Sequence, residues 1–267
     1  MYFKGEKLFL VAEQAYCQSM GYVFTSVGGK NVVIDGGTAD EAEILENYLL
    51  RLGGKAEAWF ITHAHYDHLG AAAEILRRGK IQVGKICFSF PPIEWLQEKE
   101  PAEIPYIQAF LNAVGEKNIQ VSALSKGKEF IFDSLKITAL NDSETDFSAP
   151  TINNSTVALD VKTSSSSVLF LGDMEDEAGK RLISAYPDLK RDIVQMAHHG
   201  NRGVGREVYE HICPKVCLWN TPVWLWNNDS GAGYNSGNWT TLETRRWMEE
   251  LEVKEHIVSK DGCRIIE

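Results

Sequence analysis

An apolar run, Ala58-Trp-Phe-Ile-Thr62, empties into His63-Ala-His65-Tyr-Asp67-His68, and a small-residue helical pattern beginning at Leu69-Gly70 follows at once. Three of the chain's seven histidines fall within six positions, a density that random placement along 267 residues does not explain. A strand-to-helix turn of this kind converges several imidazoles and a carboxylate from one side, which is what a transition-metal ion requires. His63 and His65, two apart, project together, whereas Asp67 and His68 curl onto the opposite side of the turn. Asp67 has a second reading as N-cap of the helix that starts near Leu69.

Two later segments repeat the same logic. Ser167-Val-Leu-Phe-Leu-Gly-Asp173 is an apolar strand ending in an acid, and an acid there can bridge two cations while Gly172 lets the backbone approach closely. Alone, a Gly-Asp before a helix reads equally well as an N-cap. Asp192-Ile-Val-Gln-Met-Ala-His198-His199-Gly200 brings two more imidazoles to a strand end. Together the three strand ends form one constellation of three to four His and two Asp.

The rest of the chain describes an ordinary globular setting. Hydrophobic residues make up 44% and charged residues 24%, so a single domain over 1–267 is expected. Twenty-seven Lys and Arg against 37 Asp and Glu leave a formal charge of −10, which argues against tight nucleic-acid binding. Five scattered cysteines give no disulfide framework and suit a reducing compartment; Cys213 and Cys217 read as packing residues. No stretch reaches the roughly 18–20 apolar residues of a bilayer span, and Met1–Met20 lacks a signal-peptide core, so a soluble, cytoplasmic, non-membrane protein is expected.

Periodicity predicts strands near 7–13, 20–26, 30–35, 57–62, 82–88, 128–132, 135–140, 156–162, 167–172, 192–197, 215–220 and 262–266. The spacing Thr-x-x-Glu at Thr38 and Thr240 predicts two helix starts, with Gly53 ending the first helix; further helices are expected over 69–79, 101–115, 174–186 and 204–212. The serine run 164–167 reads as a hairpin turn. The class is a β-rich α/β protein.

In their order, the His-x-His-x-Asp-His stretch, the Gly-Asp173 strand end and the His-His-Gly strand end resemble the metallo-β-lactamase superfamily, and Val33-Ile-Asp35-Gly-Gly matches that family's early strand ending in Asp. Asn154-Ser155 leading into Val157-Ala-Leu-Asp-Val is most similar to the hydrolase domain of bacterial competence (DNA-uptake) channel proteins, a branch that also exists as stand-alone proteins. The resemblance implies a four-layer αββα sandwich with two divalent ions, Zn or Mn, at the rim between the sheets. It implies a first site from His63 and His65, a second from Asp67, His68 and His198, and Asp173 as bridge. His198 is preferred over His199 as the ligand, because the first residue after the family's strand usually fills that role. His199 then contacts substrate or transfers a proton.

One departure stands out. Lactonase-like and thiolesterase-like members carry a His in a His-Thr-x-Gly-Ser turn, where this chain has Thr151-Ile-Asn-Asn154, and no His lies between residues 69 and 197. The first site therefore lacks its third imidazole and has Thr151, Asn153, Asn154 or water in its place, which shifts preference toward Mn or a loosely held ion. The aromatic stretch with Trp224, Trp226, Tyr234 and Trp239 suggests a lid that binds substrate.

The expected activity is hydrolysis by metal-bound hydroxide, with Asp67, Asp173 and His199 as catalytic groups and a phosphodiester, nuclease-like or phosphorylcholine-ester-like, as substrate. Carboxyl-ester, thioester or lactam hydrolysis is the alternative within the fold. A non-catalytic metal-binding module is the alternative outside it.

Overall fold

The computed structural model describes residues 2–13 and 17–267. The first half of the chain builds one sheet and its outer helices. In order these are β1 (Lys7–Leu10), β2 (Gly21–Thr25), β3 (Asn31–Asp35), α1 (Ala42–Arg51), β4 (Lys55–Ala56), β5 (Ala58–Phe60), α2 (Tyr66–Arg78), β6 (Gln82–Val83), β7 (Lys85–Phe88), α3 (Ile93–Lys99), α4 (Ile104–Glu116) and β8 (Gln120–Ala123). Strands β1, β2 and β3 run antiparallel, after which β3, β5, β7 and β8 run parallel, with Val33 opposite Trp59.

The second half repeats the plan. It contributes β9 (Glu129–Phe132), β10 (Leu135–Ala139), β11 (Leu159–Lys162), β12 (Ser167–Phe170), α5 (Asp176–Ala185), β13 (Ile193–Gln195), α6 (Arg206–Ile212), β14 (Val216–Trp219), α7 (Val223–Trp226), α8 (Thr241–Glu250), β15 (Glu255–Val258) and β16 (Arg264–Ile266). Its sheet is antiparallel from β9 to β12 and parallel from β12 to β15. The last strand, β16, crosses back to pair antiparallel with β1, Leu8 opposite Ile266, so the chain end closes the first sheet.

The two-residue period of each strand sorts its side chains into layers. Leu8, Leu10, Tyr22, Phe24, Val32, Ile34 and Phe60 face Phe130, Ile137, Val161, Phe170 and Leu218 in a core between the sheets. Their alternates Phe9, Val23, Val33 and Trp59 pack under α1, α2 and α4, and Leu169, Val194, Cys217 and Trp219 pack under the helices of the second half. Each fully buried large apolar side chain contributes about 1.5–3 kcal/mol, so three such layers fix the order helix, sheet, sheet, helix. This is the expected αββα sandwich.

Several local expectations shift. The strand expected over 82–88 breaks at Gly84, where a Cβ would stand 2.6 Å from the Glu57 carbonyl oxygen. Strands β8 and β15 and the short helices α3 and α7 escaped sequence reading. The solvent-facing pattern of β8 carries no alternation, and α3 and α7 are too short for a helical period. Both Thr-x-x-Glu sites start helices, yet neither threonine side chain caps: the chain enters α1 through a 3-10 turn at Ala39–Glu41, and Thr240 Oγ1 accepts from Arg202 N–H instead. The serine run is the β11–β12 hairpin, closed by Thr163 N–H to the Ser166 carbonyl. The five cysteines are free. Among the described residues no helix is long and apolar enough to cross a membrane.

Candidate metal centre

The residues singled out by sequence lie just beyond the C-terminal ends of parallel strands from both sheets: Asp35 ends β3, His63 and His65 follow β5, Asp173 follows β12, and His198 and His199 follow β13. Apolar side chains bury the strands, and the chain turns polar where each sheet stops. His65 is extended at the N-cap position of α2, and Asp67 and His68 occupy the helix's first turn. Gly172 adopts φ +51, and a Cβ there would stand 2.8 Å from Thr156 Cγ2 and 2.9 Å from Thr62 Oγ1, so only glycine delivers Asp173 this close to the other sheet.

Each clustered imidazole has one nitrogen tied outward. His63 Nδ1 lies 3.1 Å from Thr62 Oγ1, His65 Nε2 2.8 Å from Glu100 Oε2, His68 Nδ1 2.9 Å from Asp35 Oδ2, and His199 Nδ1 2.7 Å from the Asn220 carbonyl oxygen. With the outer nitrogens bonded away from the cluster, the inner ones are the atoms left to meet an ion, as lone pairs once any proton they hold is displaced. His63 Nε2 and His65 Nδ1 face each other at 3.2 Å. Two nitrogens held tetrahedrally at ~2.05 Å from one ion stand about 3.3 Å apart, so the pair has the spacing of a chelate.

The inner atoms form two groups, each with its donors within 4.8 Å of one another: Asp67, His68, Asp173 and His199 in one, His63, His65 and Asp173 in the other. Asp173 Oδ1 lies 3.2 Å from His68 Nε2, and its Oδ2 lies 3.4 Å from His199 Nε2. His199 Nε2 is also 3.2 Å from Asp67 Oδ2. His68 Nε2 and Asp173 Oδ1 are buried without a hydrogen bond, although they are ion-pair neighbours. Orphaned donors of this kind, in a cluster of imidazole and carboxylate, fit a divalent cation.

Electrostatics lead to the same place. Asp67 and Asp173 are buried, and among the described residues no Lys or Arg pairs with either. Burial would lower the His68 pKa, but the carboxylates of Asp173 and Asp35 outweigh it and hold the ring well above its usual value. Burial likewise opposes protonation of His199, and Asp173 and Asp67 push it up to about 10. Asp173 shows the converse: burial raises its pKa, and His68 and His199 pull it well below the usual carboxylate range. His63 is different, because burial and then the neighbouring His68 drive it well below the ordinary imidazole value, leaving it neutral. Protons thus hold the positive charge that cations would bring.

The structure reverses one expectation. His199, not His198, enters the four-donor group, while His198 stands at the rim with Nε2 3.9 Å from Asp173 Oδ2. Which of two adjacent residues faces the cluster depends on the backbone. His198, His199 and Gly200 all adopt left-handed conformations, φ 51, 56 and 79, so the chain curls instead of continuing as a strand. The curl is held by His198 N–H to the Gly172 carbonyl and by the Thr221 hydroxyl to the His199 carbonyl. A Cβ at Gly200 would press 2.5 Å from the Trp219 ring.

Around the first group, the 151–155 turn closes on Glu175, which accepts from the Thr151 hydroxyl and the Asn153 and Asn154 amides. The Oδ1 atoms of Asn153 and Asn154 stay buried without a partner. Glu100 and Glu175 were missed from the sequence; each becomes part of the site only through contacts across long separations, and neither carries a local signal. His211 and His256 lie outside both donor groups and bond to the Tyr186 and Val253 carbonyls.

Of the aromatic residues, Trp226 packs edge-on against Trp219 beneath the Arg245 guanidinium, which serves the core rather than a lid. Trp224 meets Trp239 edge to face, and Tyr234 is 69% exposed.

Comparison with known proteins bears on this geometry. The family model described as "Metallo-beta-lactamase superfamily" matches residues 16–87, the segment holding His63 to His68. ComE operon protein 3 of Bacillus subtilis (strain 168) is 25% identical over 163 residues, 61% of this chain; the match spans about a fifth (19%) of that protein's length. The metallo-beta-lactamase fold protein YhfI from Bacillus subtilis superposes with a TM-score of 0.61 at 14% identity, covering 99% of this chain and 100% of that one. CmlA from Streptomyces venezuelae, a diiron beta-hydroxylase, superposes with a TM-score of 0.58 at 12% identity, covering 99% and 54%.

Proposed function

We propose that this chain, which has the metallo-β-lactamase fold and whose 16–87 segment matches that superfamily's model, is a metal-dependent hydrolase using two divalent ions on a phosphodiester. The observation that carries this reading is the pair of donor groups sharing Asp173, with the outward nitrogens already satisfied and the inward ones facing the cluster. Asp67, His68, Asp173 and His199 would hold one ion, and His63, His65 and Asp173 the other. Ions there would supply Lewis acidity to a phosphoryl oxygen and acidify a water at neutral pH.

The chain's own groups do the rest. Asp35, Glu100, Thr62 and the Asn220 carbonyl hold the ring orientations, so the donors need no rotation when an ion arrives and displaces their inner protons. His198, outside both donor groups and close to Asp173 at the rim, is placed to touch substrate. The buried strand ends exclude water from behind the cluster.

The phosphodiester class rests on the similarity to the competence protein and on the 151–154 turn, which has no histidine where ester- and thioester-cleaving relatives carry one. The test is turnover of bis(p-nitrophenyl) phosphate together with metal content. Two bound ions with turnover that disappears in Asp173→Ala supports the reading. Ions without turnover on any phosphodiester points to the non-catalytic module, and turnover confined to carboxyl esters, thioesters or lactams replaces the substrate class.

A further inference from the structure

The first donor group has a neighbour that reaches it from a different layer of the molecule. Glu100 directly follows α3, thirty-five residues beyond His65, and its carboxylate is used at both oxygens: Oε2 accepts from His65 Nε2–H at 2.8 Å, and Oε1 accepts from Ile152 N–H at 2.6 Å. Ile152 lies in the turn where related chains carry the third imidazole. One carboxylate therefore grips both the ring that remains and the backbone of the segment that lost its ring.

We propose that Glu100 is the positioning residue of the first ion site, holding His65 with Nδ1 toward His63 and clamping the 151–155 turn against it. The proposal rests on the two-ion reading above. An imidazole can flip about its Cβ–Cγ bond, and which nitrogen meets the ion is set by the bond the other makes. His65 Nδ1 faces His63 Nε2 at 3.2 Å only in the orientation that Glu100 fixes. His63 and His68 take their outer bonds from Thr62 and Asp35 in the same sheet, and His199 takes its own from Asn220. His65, 15% exposed at its side chain, is the most open of the four and draws its partner from the helical layer. With an imidazole missing, the first ion has only two rings, so losing the orientation of one removes a large part of its hold.

Glu103 provides the control. It lies three residues on, and its carboxylate accepts from Tyr66 N–H at 2.9 Å, so it braces the same region without touching an imidazole. The experiment compares the full chain with Glu100→Ala, Glu100→Gln and Glu103→Gln. Nitrogen NMR of the histidine rings in metal-free protein reads the His65 tautomer, and competition between Zn and a chromophoric chelator reads each ion's affinity. In Glu100→Ala the Nε2–H tautomer is lost and first-ion affinity falls about 10- to 100-fold, with the second ion unchanged. Glu100→Gln keeps one acceptor oxygen for His65 Nε2–H and so restores the tautomer, but its amide NH2 cannot accept from Ile152 N–H, so affinity returns only in part; Glu103→Gln matches the unaltered chain.

An unchanged tautomer and affinity in Glu100→Ala would overturn the proposal, as would an equal weakening by Glu103→Gln. If the unaltered chain takes up a single ion, the two-ion reading fails, and the tautomer comparison still decides the role of Glu100.

Discussion

The two donor groups share Asp173 and differ in nearly everything else. The second draws Asp67 and His68 from one sheet's rim and Asp173 and His199 from the other's, all buried, with two carboxylates matched by two imidazoles that bind protons strongly. The first has His63 and His65 from a single turn, the shared carboxylate, and a neutral His63. One site spans the molecule and is electrostatically primed for a cation. The other is a local chelate that borrows its rigidity from Glu100 and the 151–155 turn. The contrast teaches that donor count and second-layer support can trade against each other within one cleft.

The largest effect should come from the residue common to both groups. Asp173→Ala removes the bridge, and metal analysis should find both ions lost and phosphodiesterase activity at the level of buffer, with the circular dichroism spectrum retained because the residue sits beyond the strand. Retention of either ion at normal affinity would show that the groups are independent.

Next in size is a split between neighbours. His199→Ala should strip the second ion and leave the first, whereas His198→Ala should retain both ions and change only turnover. The opposite pattern in metal content would restore the order expected from sequence and mean that the left-handed curl at 198–200 points the other way in solution.

Acid should separate the groups further. In the metal-free protein the His199 pKa is pushed up to about 10 and that of His68 stands well above its usual value, so an ion entering the second group must displace protons. Its affinity should therefore rise with pH, about tenfold per unit for each proton displaced, until His199 deprotonates near 10. First-ion affinity should depend less on pH, since His63 is already neutral and only His65, whose pKa burial lowers but Glu100 and neighbouring carboxylates raise on balance, holds a proton to displace. The sign for metal-free stability is opposite: the raised His199 value stabilises fully below the unfolded imidazole value, and that contribution is lost as pH rises toward about 10. Isothermal titration across pH, with proton release read from buffers of different ionisation enthalpy, checks both; equal proton release at the two sites would erase the distinction.

The smallest expected difference is in release order. Dialysis against a mild chelator should remove the first ion before the second, and Mn should restore activity at least as well as Zn, because oxygen donors supplement only two imidazoles there. Simultaneous release would mean that Glu100 and the turn fully compensate for the missing ring.

The contrast also explains what could be read in advance. The two imidazoles of the first group lie within three residues, and the period of an extended chain suffices to pair His63 with His65. The strands were legible for a related reason: β3 and β12 carry short continuous apolar runs, the local pattern of strands buried on both faces. Short-range order failed at β8, at α3, and at the two threonines whose side chains do not cap.

By itself the sequence determined a β-rich α/β chain whose strand ends deliver His63, His65, Asp67, His68, Asp173 and a histidine pair, because apolar runs and chemically unusual clustering are local properties; the two-sheet sandwich was legible only through the family resemblance. The tertiary structure alone decided that His199 enters the cluster and His198 stays at the rim, since that depends on three consecutive left-handed residues held by Gly172, Thr221 and the Trp219 ring. It alone brought Glu100 to His65 and Glu175 to the 151–154 turn. Such contacts join residues about twenty to thirty-five positions apart, and their pairing is settled by how the layers pack, which no local pattern encodes.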